Sequence, residues 1–300
     1  MREVDLVRRI RQLAEAQPPN QSILTGIGDD CAVIRPPADR EMVFTTDFVI
    51  ENRHFESATH KAADVGHKAL ARSLSDLAAM GAKPLFCLVS LAVPSKLGNA
   101  WVAGFYRGLL ELATHHGVTL AGGDLASTYI IVADVMCCGT VAPGMAMLRS
   151  AARPGDHIYV TGELGGSALG FELRRGPAWM RHLRPQPRIE LGIALAEEGI
   201  AACMDLSDGL SLDLQRLCVE SKVSAHLTGV LPIANDASYQ QALHGGEDYE
   251  LLFTTPKPMP AEIAGARVTA IGEIVEGLPS EVMWKGKPLP AMGFDHFRDV

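Results

Sequence analysis

The chain has 300 residues, 47% of them hydrophobic and 21% charged, with a formal net charge of −8. This length suits two domains or one large one, and the composition belongs to an ordinary globular protein rather than a disordered one. The acidic balance argues against a general nucleic-acid binder or a protein held on anionic lipid, since both need a basic footprint. The longest stretch free of Asp, Glu, Lys and Arg is 14 residues, Val135 to Leu148, and Gly139, Pro143 and Gly144 interrupt it. A spanning helix needs about 20 apolar residues, and the opening MREVDLVRRIRQLAEAQPP has no apolar core of signal-peptide type. A cytoplasmic protein is expected, with no membrane and no nucleic acid among its partners.

In chain order, Val4, Val7, Ile10 and Leu13 predict one face of a short helix that Pro18 and Pro19 stop. Cys31 to Ile34 and Met42 to Asp47 read as strands. A helix follows from about Thr59 to Met80, with Leu70, Leu74 and Leu77 on one face and Gly81 to Pro84 as its end. Leu85 to Val93 reads as a strand, Asn99 to His116 as a helix, Val118 to Ala121 as a strand ending at GGD, and Tyr129 to Val141 as a long buried strand. Ala142 to Met145 punctuates a change of pattern and marks the expected domain boundary. Beyond it come a strand at His157 to Thr161, helices at Ala168 to Arg175 and Pro187 to Glu198, and a strand at Ala202 to Leu206. A helix at Asp208 to Lys222 and strands at Tyr249 to Thr254 and Val268 to Ile274 complete the pattern.

The six cysteines contain no CxxC pair, which leaves zinc and thioredoxin-like chemistry unsupported and points to free thiols in a reducing compartment. The acids fall at element ends. Asp29 and Asp30 follow Gly26-Ile-Gly28; Asp47 ends a strand after Thr45 and Thr46; Asp124 follows Gly122-Gly123; Asp205 and Asp208 bracket a strand-to-helix turn. Asp76 shares a helix face with Arg72 and Ser73, away from the leucines. Each has an ordinary structural reading: turn formers, the polar end of a strand, an Asp76–Arg72 surface pair, a helix cap at Ser207 and Asp208. Together, carboxylates and hydroxyls without a His or Cys cluster suit a hard cation such as Mg²⁺, which often bridges substrate phosphates. No GxxxxGK[ST], HRD with DFG, GxGxxG or GxSxG motif occurs. Among the ten histidines, His54 stands out because it follows the Asp47 strand, in IENRHF. In GGEDYELLF, Glu247 and Asp248 either reach a ligand or fill a turn.

The segments GIGDDCAVI, TTD with HF following, KALARSLSDLAAMGAKP, LAGGD, RPGDHIYVTGELG, MDLSDGLSLDL, GGEDYELLF and GFDHF occur in that order from Gly26 to Phe297. Together they resemble the thiamine-monophosphate kinase family, in the superfamily that includes aminoimidazole ribonucleotide synthetase. The resemblance implies an α/β (α+β) fold of two-domain, aminoimidazole ribonucleotide synthetase-like architecture, with mixed sheets and packed helices. Residues 1–142 would form an N-terminal ATP- and Mg²⁺-binding, dimerisation domain, and residues 143–300 a C-terminal α/β domain completing the active site. It implies in-line transfer of the ATP γ-phosphoryl group to thiamine monophosphate with several Mg²⁺ ions, K⁺ as a further cation, and a homodimer. Carried over by motif, Asp30, Thr45, Thr46, Asp47, Asp76, Asp124, Asp205 and Asp208 would be metal ligands. Gly123, Asp124, Arg149 and Ser207 would meet ATP, and His54, Glu247 and Phe294 thiamine monophosphate. The acceptor is already a phosphate anion, so no general base is named.

Three segments depart from the family pattern: Leu125 and Ala126 stand where two Thr usually follow GGD, Gly166 stands where LGDSA has an acid, and Arg53 precedes His54. They leave open a homologue that holds nucleotide without turnover. Another ATP-dependent enzyme of the superfamily is the remaining alternative, weakened by the absence of a C-terminal cysteine tail and an N-terminal reactive Cys loop, and by GGEDYEL.

Overall fold

The computed structural model describes residues 3–28, 31–295 and 297. The chain divides into two compact units, Met1–Leu77 with Lys83–Gly144, and Ala78–Ala82 with Met145–Val300. Among the described residues no helix is long and apolar enough to cross a membrane.

The first unit begins with α1 (Glu3–Glu15) and a small antiparallel pair, β1 (Ile23–Thr25) and β2 (Val33–Ile34). Leu6 and Ile10, one helical turn apart, form the buried face of α1, while Val7 stays 37% exposed. The inner face is thus set by i, i+4 spacing rather than by the expected three-residue recurrence. Next come β3 (Glu41–Ile50), α2 (Ala62–Ala79), β4 (Lys83–Val93), α3 (Asn99–His115), β5 (Thr119–Ser127) and β6 (Val132–Val141). The four long strands make one sheet in the order β3-β6-β4-β5, antiparallel except for β4 and β5, which α3 connects as a parallel crossover. Helices α2 and α3 meet backbone to backbone. A Cβ added at Gly66 would lie 1.9 Å from the Phe105 carbonyl oxygen, and one at Gly108 only 1.8 Å from that of Ala63.

Two expectations shift here. Strand β5 does not stop before GGD but runs through it, because Gly122 to Ser127 stay in register with Leu88 to Val93 of β4. A side chain at Gly123 would drive its Cβ to 2.0 Å from the Val89 carbonyl oxygen, and its φ of +150° also favours glycine. Strand β6 begins at Val132 rather than Tyr129, whose side chain is 99% exposed.

The second unit opens with a 3₁₀ turn at Arg149–Ala151 and continues with β7 (His157–Thr161), α4 (Gly166–Leu173), α5 (Gly176–Leu183) and α6 (Ile189–Glu197). It then runs through β8 (Ala202–Asp205), α7 (Leu210–Ser221), β9 (Ser224–Leu227), α8 (Tyr239–His244) and β10 (Leu251–Thr255). Strands β11 (Glu262–Ile263), β12 (Ala266–Val275), β13 (Val282–Trp284) and β14 (Lys287–Pro288) complete it. The sheet order is β14-β13-β9-β12-β7-β10-β8, with β11 paired to β12, and all neighbours are antiparallel except β13 and β9. Val160, Met204, Leu206, Leu214, Leu217, Leu252 and Ile271 lie in its buried apolar core.

The helix expected at Ala168 to Arg175 is α4, and a second helix, α5, follows it where none was expected. Arg174 turns left-handed at φ +51°, Gly176 follows at φ +70°, and Pro177 starts α5, where its missing N–H costs nothing. Strand β8 ends at Asp205 and α7 starts only at Leu210, so Ser207 and Asp208 sit in the turn, which Gly209 makes at φ +108°.

Candidate active site

The alternation of β3 splits the TTD motif between the two faces of its sheet. On one face Thr45 donates its hydroxyl to Asp76 of α2, and Asp47 lies beside the same Asp76 carboxylate. Burial pushes Asp47 up to about 7; Arg72, with Nη2 3.5 Å from Oδ1, opposes the rise, and the Asp76 charge adds to it. Arg72, expected to pair with Asp76 at the surface, thus reaches Asp47. Ser73 donates to the Val135 carbonyl at 2.7 Å, which ties this turn of α2 to β6.

On the other face Thr46 donates its hydroxyl to Asp134 of β6. The register aligns Phe48, Asp134, Ser90 and Asp124 in one cross-strand row. Asp134 was not among the expected site residues; its signal was a lone acid inside an otherwise apolar strand. Gly123, Asp124 and Leu125 also line a cavity of about 700 Å³, together with Gly26, Gly28 and Ser90. Asp29 and Asp30 lie outside the described residues.

His54 is buried in the turn that closes β3. Its Nδ1 accepts the Ile50 N–H at 3.0 Å, and Lys68 of α2 donates to its carbonyl at 3.4 Å.

In the second unit Asp205 ends β8, 2% exposed. The turn after it gathers four expected residues through the backbone. Glu247 N–H donates to the Ser207 carbonyl at 2.7 Å, and Phe294 N–H to that of Asp208 at 3.0 Å. Gly246 and Gly293 allow this nesting, since a Cβ on them would lie 2.7 Å and 2.4 Å from those same oxygens. The Asp208 carboxylate accepts from Arg216, which also reaches Asp213 at 3.1 Å. Asp213 accepts the N–H groups of Asp208 and Gly209, both at 3.0 Å, and so holds the turn. Burial first, then the Asp208 charge, pushes Asp213 up to about 7, against the pull of Arg216 and those N–H donors. Arg149 lies in the 3₁₀ turn, whose carbonyl accepts from Ser221 at 2.6 Å.

The GGEDYEL acids divide by role. Glu247, at φ +64°, faces His182, with Oε2 3.4 Å from Nδ1. Asp248 accepts the N–H groups of Gly165 and Ser167 at 2.6 and 3.1 Å, at the start of α4, and is therefore framework. Glu250 is 1% exposed and takes a two-pronged grip from Arg188 at 2.8 and 2.6 Å, with Thr161 at 2.7 Å and Arg181 at 3.3 Å. The departure at Gly166 has a structural counterpart. A Cβ there would lie 2.9 Å from Arg181, whose side chain fills that space on its way to Glu250.

Among the described residues no three His, Cys, Asp or Glu side chains converge on one point. The carboxylates come instead as neighbours in twos, with hydroxyls beside them.

Residues 28–141 match the family model of AIR synthase related protein, N-terminal domain, and residues 153–285 that of AIR synthase related protein, C-terminal domain. The thiamine-monophosphate kinase of Haemophilus influenzae is 36% identical, over 100% of this chain and 99% of its own length. That of Bacillus subtilis is 36% identical over 93% and 95%. Among solved structures, the thiamine-monophosphate kinase from Stenotrophomonas maltophilia K279a aligns with a TM-score of 0.84 at 34% identity, covering 96% of this chain and 98% of that one. The structure of AaThiL complexed with AMPPCP and TMP aligns at 0.80 and 31%, covering 99% of both chains. A hydrogenase maturation protein HypE in complex with ATP, 15% identical with a TM-score of 0.75, shares the fold alone.

Proposed function

The chain belongs to the thiamine-monophosphate kinase family, and from that premise we propose that it transfers the γ-phosphoryl group of ATP to thiamine monophosphate, giving thiamine diphosphate and ADP. The observation that carries this reading is the end-to-end match to AaThiL complexed with AMPPCP and TMP, at 31% identity over 99% of both chains. In the transfer a phosphate oxygen of thiamine monophosphate bonds to the γ-phosphorus as the bond from that phosphorus to the bridging oxygen of ADP breaks. The acceptor is an anion already, so no side chain has to remove a proton; the protein's work is to orient two anions and offset their repulsion. In this reading Gly123, Asp124, Arg149 and Ser207 meet ATP, and His54, Glu247 and Phe294 meet thiamine monophosphate. Gly123, unable to carry a side chain, exposes its backbone beside the Asp124 carboxylate, which suits phosphate oxygens.

The donor set Asp30, Thr45, Thr46, Asp47, Asp76, Asp124, Asp205 and Asp208 is all oxygen and fits Mg²⁺. That ion is commonly held by one or two carboxylates plus substrate phosphates rather than by an all-protein cage, which agrees with carboxylates that neighbour one another in twos. When bound, Mg²⁺ supplies positive charge to the phosphates. The Asp47–Asp76 neighbours, half-buried and of like charge, have much to gain from a cation. A homodimer through the N-terminal unit is supported by Phe44 and Phe48, which point from one face of β3 and are 61% and 55% exposed. Buried free thiols at Cys87, Cys137, Cys138, Cys203 and Cys218 suit the cytoplasm.

The test is direct: the protein with MgATP and thiamine monophosphate, across a range of Mg²⁺ and K⁺, is expected to form thiamine diphosphate. No product under any of these conditions overturns the reading. A second reading, a homologue that holds nucleotide without turnover, draws on Leu125, whose apolar side chain lines the cavity beside Asp124. ATP binding with turnover no faster than in an Asp47→Asn control would favour it.

A further inference from the structure

The loop that carries Glu247 holds an unfavourable backbone in place. Glu247 and Tyr249 both turn left-handed, at φ +64° and +51°, and their N–H groups donate to the carbonyls of Ser207 and Leu206 at 2.7 and 2.9 Å. Neither residue is a glycine, so the contacts around them must over-determine this conformation. The three acids of GGEDYEL end up unequally open. Glu247 keeps 19% of its side-chain surface, against 3% for Asp248 and 1% for Glu250. Of the three, Glu247 is the one that a ligand can reach.

Behind Glu247 stands His182, in the last turn of α5. Its ring is 5% exposed and packs on two aromatic side chains. It stacks on Trp179 with centroids 5.2 Å and planes 10° apart, and leans on Phe171 of α4 at 5.2 Å. Its Nδ1 meets the Ser167 hydroxyl at 3.0 Å and Glu247 Oε2 at 3.4 Å. Ser167 is itself fixed, with 0% exposure and its N–H on Asp248. Adjacent acids of the motif thus grip one corner of the fold: Asp248 through the Ser167 N–H, and Glu247 through the ring that the same serine touches. A hydroxyl can give or accept a proton at Nδ1, but a carboxylate can only accept. Both neighbours are satisfied at once when Nδ1 carries the proton. We infer that His182 is a positioning residue for Glu247: its Nδ1–H, fixed by the aromatic packing and by Ser167, holds the carboxylate in the direction in which it meets thiamine monophosphate. The inference rests on the kinase reading for the identity of the ligand. It adds to that reading a residue that acts through Glu247 alone, and the position of its proton.

Two measurements on the full-length protein test it. Long-range ¹H–¹⁵N NMR of the histidine rings is expected to show a proton on Nδ1 of His182 near neutral pH; a ring protonated on Nε2 alone overturns the inference whatever the protein's activity. In steady-state kinetics, His182→Phe keeps an aromatic ring but no donor. It is expected to raise KM for thiamine monophosphate at least about tenfold, while kcat and the KM for ATP change less than about threefold. His182→Asn loses the ring but sets an amide N–H in the place of Nδ1, and is expected to keep KM for thiamine monophosphate within about fivefold. A histidine that only fills space gives the opposite order, with the Phe variant near wild type and the Asn variant impaired. His182→Asn performing no better than His182→Phe, or equal effects of His182→Phe on both KM values, overturns the inference. If His182→Phe does not fold, His182→Asn and the NMR decide. A wild-type protein without thiamine monophosphate turnover defeats the kinase reading instead, and the NMR still decides whether His182 offers its Nδ1 proton to Glu247.

Discussion

Two clusters of acidic side chains, one in each unit, are treated differently. In the first, Asp47 and Asp76 lie against each other, Thr45 donates to Asp76, and Arg72 stands 3.5 Å from Asp47; burial and like charge leave Asp47 pushed up to about 7. In the second, Glu250 is held by Arg188, Arg181 and Thr161, and Asp248 by two backbone N–H groups, with Arg181 3.8 Å away. A buried carboxylate surrounded by the protein's own donors is part of the frame. One left beside another carboxylate costs stability unless something from outside joins it. The count of acids in the sequence could not separate these classes, but their partners do.

The contrast breaks first at Glu250. Removing its charge by Glu250→Gln leaves Arg188 and Arg181 without their shared carboxylate, and losing one partner of a buried ion pair costs about 3–5 kcal/mol. Urea unfolding is expected to show that loss as a lower midpoint with little change in slope; a midpoint within experimental error of wild type would show that Glu250 is not framework. Asp76→Ala is expected to do the reverse. It removes one of two like charges, so the unfolding midpoint should stay or rise, while kcat falls about 10²–10³-fold as charge stabilisation at the transferring phosphate is lost. Activity within a few-fold of wild type would remove Asp76 from the metal set.

How much of this was legible beforehand follows the same division. The leucine stripe of α2, with Asp76 off it, was readable because helix periodicity is local: Leu70, Leu74 and Leu77 are fully buried where the spacing puts them. The split of Thr45 and Asp47 from Thr46 follows from the two-residue period of a strand. Asp134, however, needed the register of β3 on β6, which no local pattern carries. The GGEDYEL motif marked the right turn, but not which acid does what. The partners that make Asp248 and Glu250 structural lie 60 or more residues away in the chain, at Arg181, Arg188 and Gly165. Helix α5 was not anticipated: Gly176 and Pro177, which open it, are residues that more often punctuate chains than start helices. The Asp29–Asp30 expectation lies outside the described residues.

Asp248 gives the finest test of the contrast, because its donors do not fully offset its burial. Burial pushes its carboxyl up to about 6 from 3.8, while Arg181 and the N–H groups of Gly165 and Ser167 pull the other way. A raised carboxyl binds its proton more tightly in the folded protein, so its contribution to stability is complete below about pH 4 and declines as pH rises through about 6. A rise of that size corresponds to roughly 3 kcal/mol. Asp248→Asn removes the titration, and its carboxamide can accept one N–H but turns a donor towards the other, at a cost of about 1–3 kcal/mol that does not vary with pH. The advantage of wild type over the variant in unfolding free energy, followed from pH 4 to pH 7, is therefore expected to shrink as pH rises, to nothing or to a reversal. A gap that stays constant, or widens, would mean that the Asp248 carboxylate is as well compensated as that of Glu250. The difference between the two clusters would then rest on Asp47 and Asp76 alone.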